Sequence, residues 1–304
     1  MASENIAKIV IDPKESSSPS ICLSPSHRIH SSFSSEDADI VLRSQDGVSF
    51  RVYSIVLKQA SGWFRSLFQL PQSSQTATND PIDIPESSDL FFILLSMISG
   101  LEIPRLDDID LIENLVHVAE KYDMPGALSI IRFAILQPTL LATHPIRVYA
   151  IACRWGWKKE AKIASSHTIM LDLLSVSVMQ DLRKVDPSDL TRLMLLHRRR
   201  RDEFRNGLDS TDIFYANLIP GRCSGCSGDI IHDKWHRLKY EWIAAIEQTP
   251  IDVASKDLLE RLELEEVLNS KCTRCQKKLY NTEGTISNLR EIMENLPNEV
   301  EFDD

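Results

Sequence analysis

The sequence predicts an α+β fold that is mostly α: a small N-terminal sheet flanked by helices, a helical continuation, and a helical C-terminal region carrying a candidate zinc site. Three observations predict it. Two β-prone runs near residue 40 meet across an Asp-Gly turn, and apolar residues thereafter recur three or four apart through most of the chain. Four of the six cysteines form two CxxC pairs late in the sequence.

At 304 residues the chain is long enough for two or three domains with real cores. The expected boundaries are 1–35, 36–136, 137–205 and 206–304. A composition that is 43% hydrophobic and 26% charged reads as soluble and globular. The net charge of −10 argues against a protein that wraps bare nucleic acid or coats an anionic membrane. No run of about 18 apolar residues occurs, and no basic stretch leads into an apolar core near the start. Neither a membrane span nor a secretory signal is expected, which points to the cytoplasm or the nucleus. Charge is uneven, with a basic middle segment over 137–205 and acidic neighbours. Such alternation suits segments that dock on one another, and solvated helix faces would also give it.

Residues 1–35 are Ser/Pro-rich and poor in periodic apolar residues, so they are expected to be disordered, with serines open to phosphorylation. Ile40, Val41 and Leu42, then Val48, Phe50 and Val52, read as an antiparallel hairpin across Ser44 to Gly47. From Ser54 to Leu70 the apolar clusters break at Ser61-Gly62, which predicts two short helices, and Pro71 ends the second. Ile82 and Ile84 alternate like a short strand. Ser87 or Ser88 then caps a helix through Phe91, Leu95 and Ile98 to Gly100. Leu111, Leu115, Val118 and Tyr122 form the stripe of another helix, expected to stop near Pro125-Gly126.

These residues resemble a known family, the BTB/POZ domain, and specifically its fungal, basidiomycete-like members. The segment DADIVLRSQDGVSFRVYSIVLKQASGWFRSLF looks like the opening of that fold, with Asp39 on the first strand and Leu57, Ser61, Phe64 and Phe68 on the first helices. IDIPESSDLFFILLSMISG resembles its third strand and following helix. Ala119, Tyr122, Met124 and Leu128 match its Ala-x-x-Tyr-x-Met-x-x-Leu helix end. In some members a buried Asp at the Asp39 position meets a basic partner in a pocket that recruits corepressors. Here Ser54 stands at that basic position and Tyr53 where His is usual, so Asp39 is expected to be a strand-start carboxylate satisfied by backbone amides.

The resemblance implies a module that binds proteins and pairs with a second copy through an apolar, helix-lined face. Trp63, Phe64 and Phe68 are candidate contributors, and a buried aromatic stripe is their plainer reading. Many relatives hand substrates to a cullin-type ubiquitin ligase. The acidic aromatic motif that supports that contact is not evident between Leu70 and Asp83.

Pro138 breaks the preceding helix, and HPIRVYAIACRWGWKKEAKIASSHTIM then reads as two helices around Trp155-Gly156-Trp157. Pro145 to Ala152 resembles the helical extension of fungal BTB proteins, and Cys153 reads as a buried thiol. Asp186-Pro187-Ser188-Asp189 opens a further helix with Leu190, Leu193, Met194 and His197 on one face. Arg198, Arg199, Arg200 and Arg201 are a candidate basic patch for phosphate or nuclear import. Asp202 and Glu203 follow at once, and the arginines would equally complement a helix C-terminus.

Cys223, Cys226, Cys272 and Cys275 are candidate ligands of a structural zinc ion. Each CxxC turn places two thiolates on one knuckle, and two knuckles complete a tetrahedral site. The 45 residues between the pairs must hold helices. Trp235, Leu238, Trp242 and Ile246 form one stripe, and Leu258, Leu259, Leu262 and Leu268 a second, so a helical hairpin can bring the pairs together. Unmetallated thiols and a redox pair are the competing readings, and no βαβ pattern surrounds either pair. His232 and His236 read as solvent-facing. Similar C-terminal CxxC pairs occur in related fungal BTB proteins.

No nucleophile elbow, phosphate loop or HExxH motif is present, so no enzymatic activity is expected. The expectation is a non-enzymatic protein–protein interaction module that forms a homodimer and presents a partner surface. The alternatives are a substrate adaptor of a cullin-type ubiquitin ligase and a nuclear transcription or chromatin regulator. Nothing in the sequence decides whether the acidic stretch Glu299 to Asp304 is free or touches the basic middle segment.

Overall fold

The computed structural model describes residues 28–70, 80–209, 221–248 and 262–302. They fall into two compact units. One comprises the described residues up to Ile55 with those between Pro71 and Phe91; the other comprises Val56–Leu70 and the described residues from Phe92 onward.

The first unit holds a four-stranded sheet in the order β1-β3-β2-β4. Strands β2 (Ile40–Arg43) and β3 (Val48–Val52) pair antiparallel, joined by the expected turn with Gly47 at a φ of 80°. Leu42 faces Phe50 across the pair, and both are fully buried. Strand β1 (Arg28–Ile29) runs parallel to β3, and β4 (Ile82–Asp83) runs parallel to β2.

Order begins earlier than composition suggested. Residues up to 27 lie outside the described residues, but Arg28 to Phe33 form β1 and a single 3-10 turn over Ser31–Phe33. Phe33 is buried with its ring edge against Phe50 at 5.8 Å, and the His30 ring stacks on Phe50 at 5.2 Å. Burying one large aromatic side chain contributes about 1.5–3 kcal/mol, and the parallel pairing of β1 with β3 adds to the hold on this short flank.

Two aspartates start the helices that leave this unit. Asp39 accepts the Ser54 amide at 2.7 Å and the Ser54 hydroxyl at 2.6 Å, at the first residue of α1 (Ser54–Ala60). Asp46 does the same for α3 (Ser88–Ser99), accepting the Ser88 amide at 2.9 Å and its hydroxyl at 2.5 Å. The Ser88 hydroxyl, then that of Ser44, pulls the Asp46 carboxyl down to about 2. Asp39 is therefore a helix-start acceptor on an exposed strand end.

The second unit is helical. After α2 (Gly62–Leu67) come α4 (Ile109–Lys121), α5 (Pro125–Ala134), α6 (Pro138–Thr143), α7 (Pro145–Arg154) and α8 (Lys158–Thr168). These are followed by α9 (Met179–Leu182), α10 (Pro187–Asp209), α11 (Asp233–Gln248), α12 (Leu262–Leu268) and α13 (Thr282–Glu294). The helix expected to stop near Pro125-Gly126 ends at Lys121, and Pro125 opens the next one. At the first helical position its missing N–H costs nothing and its fixed φ suits the helix, and Pro138 and Pro145 are used in the same way. Buried Arg147 ties α7 to α4 through Asp110 at 2.7 Å and through Glu113.

Helix α10 departs most from expectation. It runs unbroken across the anticipated boundary at 205, so the four arginines lie inside it and not at its C-terminus. Its buried face is Leu193, Leu196, Arg200, Phe204 and Leu208, a three-then-four spacing that carries the helix past Asp202 and Glu203. Met194 is exposed. Phe204 and Leu208 join Trp235, Leu238, Trp242 and Ile246 of α11 and Leu264, Val267 and Leu268 of α12 in one core. Leu258 and Leu259 lie outside the described residues. Among the described residues no helix is long and apolar enough to cross a membrane.

Candidate metal centre

Two turns built alike carry the four cysteines. In the first, the Cys223 amide donates to Gly228 O at 2.8 Å, the Ser227 amide to Cys223 O at 2.8 Å, and the Ile230 amide to Gly221 O at 2.8 Å. In the second, Cys272 donates to Lys277 O at 2.8 Å, Gln276 to Cys272 O at 2.9 Å, and Leu279 to Ser270 O at 2.9 Å. Every bond of the first turn recurs in the second at one constant offset. Ser227 and Gln276, which match under that offset, both adopt a left-handed backbone, at φ 54° and 59°. Each turn is closed by an antiparallel bridge, Arg222 with Asp229 and Lys271 with Lys278.

The pairs face each other. Cys223 Sγ lies 3.4 Å from Cys275 Sγ, Cys226 Sγ lies 3.7 Å from Cys272 Sγ, and all four sulfurs fall within 4.8 Å of one another. A disulfide needs about 2.05 Å, so these are thiols at non-bonded distance. A zinc ion with Zn–S near 2.3 Å sets tetrahedral S···S edges of about 3.8 Å, which these separations match. Cys223 and Cys272 are buried, while Cys226 and Cys275 are exposed.

Backbone amides favour the thiolate at Cys223 and Cys272. Those of Gly225 and Cys226 pull the Cys223 thiol down to about 6, and those of Cys275 and Arg274 lower Cys272. At Cys275 the Lys277 amide is outweighed by the facing cysteines and burial, which push that thiol up to about 11. Amide donors aimed at sulfur are what a cation-holding thiolate cluster needs. Gly225 sits in close approach: a Cβ there would stand 3.1 Å from Cys275 Sγ and 3.0 Å from Lys277 Cδ, so the sulfur or the lysine chain would have to give by a few tenths of an ångström.

One histidine differs from expectation. His236 is exposed, but His232 is half-buried, with Nδ1 2.7 Å from the Tyr280 hydroxyl. His232 follows the first knuckle and Tyr280 the second, so this bond joins their downstream ends. Burial, then the neighbouring His236, lowers His232, and burial pushes the Tyr280 hydroxyl up to about 12. Tyr280 and Gly225 were not singled out from the sequence. The one available hint was an aromatic at a fixed step past the second CxxC.

The other candidates are spread over the second unit. Phe64 is a core side chain, fully buried and stacked on Tyr122 at 5.5 Å, so it offers no surface to a partner. Trp63 keeps 39% exposure with its ring edge-on to Tyr122, and Phe68 is half-buried beneath the Lys58 ammonium. Arg198 pairs with Asp202 at 3.4 Å and Arg199 with Glu301 at 2.8 Å. Arg200 is buried and donates to the Pro297 carbonyl, and Arg201 is half-buried. Cys153 is half-buried, and burial pushes its thiol up to about 12, which leaves it a poor nucleophile.

Residues 30–138 match the family model described as BTB/POZ domain. The chain therefore carries a BTB/POZ domain over those residues, an interaction fold that is itself non-enzymatic. No curated protein matches the chain.

Proposed function

We propose that the chain works as a homodimer assembled through its BTB domain. In this reading Cys223, Cys226, Cys272 and Cys275 hold one structural zinc ion that keeps the C-terminal helices in shape for a protein partner. The observation that carries the metal reading is the set of four sulfurs within 4.8 Å on two matching turns. Four thiolates would fill every zinc position, leaving none for water, so the ion would brace the fold and activate no substrate. Exposed Trp63, at 39%, supplies apolar surface for self-association.

Native mass spectrometry of the full chain reports both claims at once. The expected spectrum is a dimer with one zinc per chain, and Cys272→Ser with Cys275→Ser should lose the zinc and keep the dimer. A metal-free monomer would overturn both. A zinc-bound monomer would overturn dimerisation alone.

A further inference from the structure

The segment Pro297–Phe302 follows α13 without regular secondary structure and lies against α8 and α10. Those helices are neighbours, joined by Thr168 and His197 at 3.2 Å. Five contacts hold the segment. The Val300 amide donates to Ser165 Oγ at 3.0 Å, and Arg200 donates to the Pro297 carbonyl. Lys162 pairs with Glu299 at 2.9 Å and Arg199 with Glu301 at 2.8 Å. The Arg192 guanidinium sits 5.5 Å over the Phe302 ring.

The arrangement is that of a peptide in a docking cleft. The backbone is fixed at two points, the Val300 amide and the Pro297 carbonyl, with a bend at Glu299 between them, and the side chains from Glu299 to Phe302 alternate between exposed and inward positions. Val300 is 2% exposed and is the anchor, whereas Glu299 and Glu301 reach outward to cations. Part of the receiving surface is oriented by its own helix: the Ser165 hydroxyl, which accepts the Val300 amide, also donates to Lys162 O at 2.7 Å within α8. The two ion pairs add little to the hold. Both ion pairs are solvent-exposed, with Glu301 at 79% and Arg199 at 52%, and such pairs are weak and screened by salt.

We propose that this cleft of α8 and α10 is a peptide-docking site, that residues 297–302 are its resident ligand in cis, and that a protein partner presenting an extended acidic–aliphatic–acidic–aromatic stretch displaces them. The partner's stretch would place its aliphatic residue where Val300 sits, its acids on Lys162 and Arg199, and its aromatic ring under Arg192. The inference is independent of the metal.

The probe is a labelled synthetic peptide spanning Leu296 to Phe302, titrated against the full chain. A resident segment competes at an effective concentration in the millimolar range. Wild type should therefore bind the peptide at least tenfold more weakly than Val300→Asp, whose own segment is released. Binding to Val300→Asp should weaken as salt rises, and a scrambled peptide should not bind. Absence of binding to a folded Val300→Asp chain, or equal binding of the scrambled peptide, would overturn the proposal. Should Val300→Asp fail to fold, hydrogen exchange on wild type decides. Millimolar peptide should speed exchange at the Val300 amide several-fold, and no change there would overturn the proposal equally.

Discussion

Replacing Ser61 by alanine tests how the break between the first two helices is held. The Ser61 hydroxyl is fully buried and serves two backbone groups. It accepts the Phe64 amide at 3.1 Å, capping α2, and donates to the Tyr122 carbonyl at the end of α4. Loss of a side-chain cap costs about 1 kcal/mol. The Tyr122 carbonyl, which also accepts the Trp63 amide at 3.4 Å, would lose its hydroxyl donor, and a buried acceptor losing a partner costs about 1–3 kcal/mol. The losses fall on different backbone groups and add, giving about 2–4 kcal/mol. Ser66 is the control, because its hydroxyl makes a similar bond to Gly62 O at 3.0 Å from an exposed position. Ser66→Ala should cost under about 0.5 kcal/mol. Urea titration followed by tryptophan fluorescence and by circular dichroism compares the midpoints. Equal midpoints for the two variants would refute the reasoning.

Two further perturbations follow from the same geometry. Burial, then Arg200 and Arg201, pushes His197 down from 6.5 to about 4, so folding favours the neutral ring. Its contribution is full above 6.5 and is lost as pH falls toward 4, by up to about 3 kcal/mol. His197→Gln should flatten the urea midpoint against pH in that window, and an unchanged slope would count against it. Tyr280→Phe removes the hydroxyl from His232 and should cost about 1 kcal/mol. The melting temperature should drop by about 2–4 °C with zinc content unchanged, and an unshifted melt would sink the claim that this bond joins the knuckles.

How much of this was legible in the sequence depends on how local each cause is. The hairpin and the turn at Gly156 show in residues that touch their own neighbours, whereas the starts of α2 and α3 show in local serines but are also held from afar, by Tyr122 and by Asp46. The stripe Trp235, Leu238, Trp242, Ile246 was legible because one buried face of one helix fixes it. What escaped needed partners distant in sequence. Phe33 is ordered by Phe50, and the true face of α10 is set by the core it shares with α11 and α12. Phe64 stayed open between interface and core, with core the plainer reading, because an aromatic at helical spacing does not reveal which side Tyr122 will occupy. The prolines were half legible, since the same residue ends one helix and starts the next.

The cysteine cluster shows most clearly what sequence carries and what it hides. CxxC named the four ligands, yet the two turns share almost nothing else: Ser-Gly fills the first gap and Thr-Arg the second. Their likeness lives in main-chain hydrogen bonds, which any side chain permits, so the repeat is invisible to residue comparison. The exception is Gly225, because the turns are not equivalent where they meet. A Cβ at Gly225 would press on Cys275 Sγ at 3.1 Å, while the matching position in the second turn is Arg274, a side chain already accommodated. Gly225→Ala should therefore displace a ligand sulfur and weaken zinc binding about 10- to 100-fold, the range seen when groups supporting metal ligands are altered. Arg274→Ala, which leaves the turn's main-chain bonds in place, should stay within about twofold of wild type, far below that range. Competition against a chromophoric chelator measures both. Equal affinities for the two variants would mean that the facing of the turns does not set the site, and that the cysteines alone do.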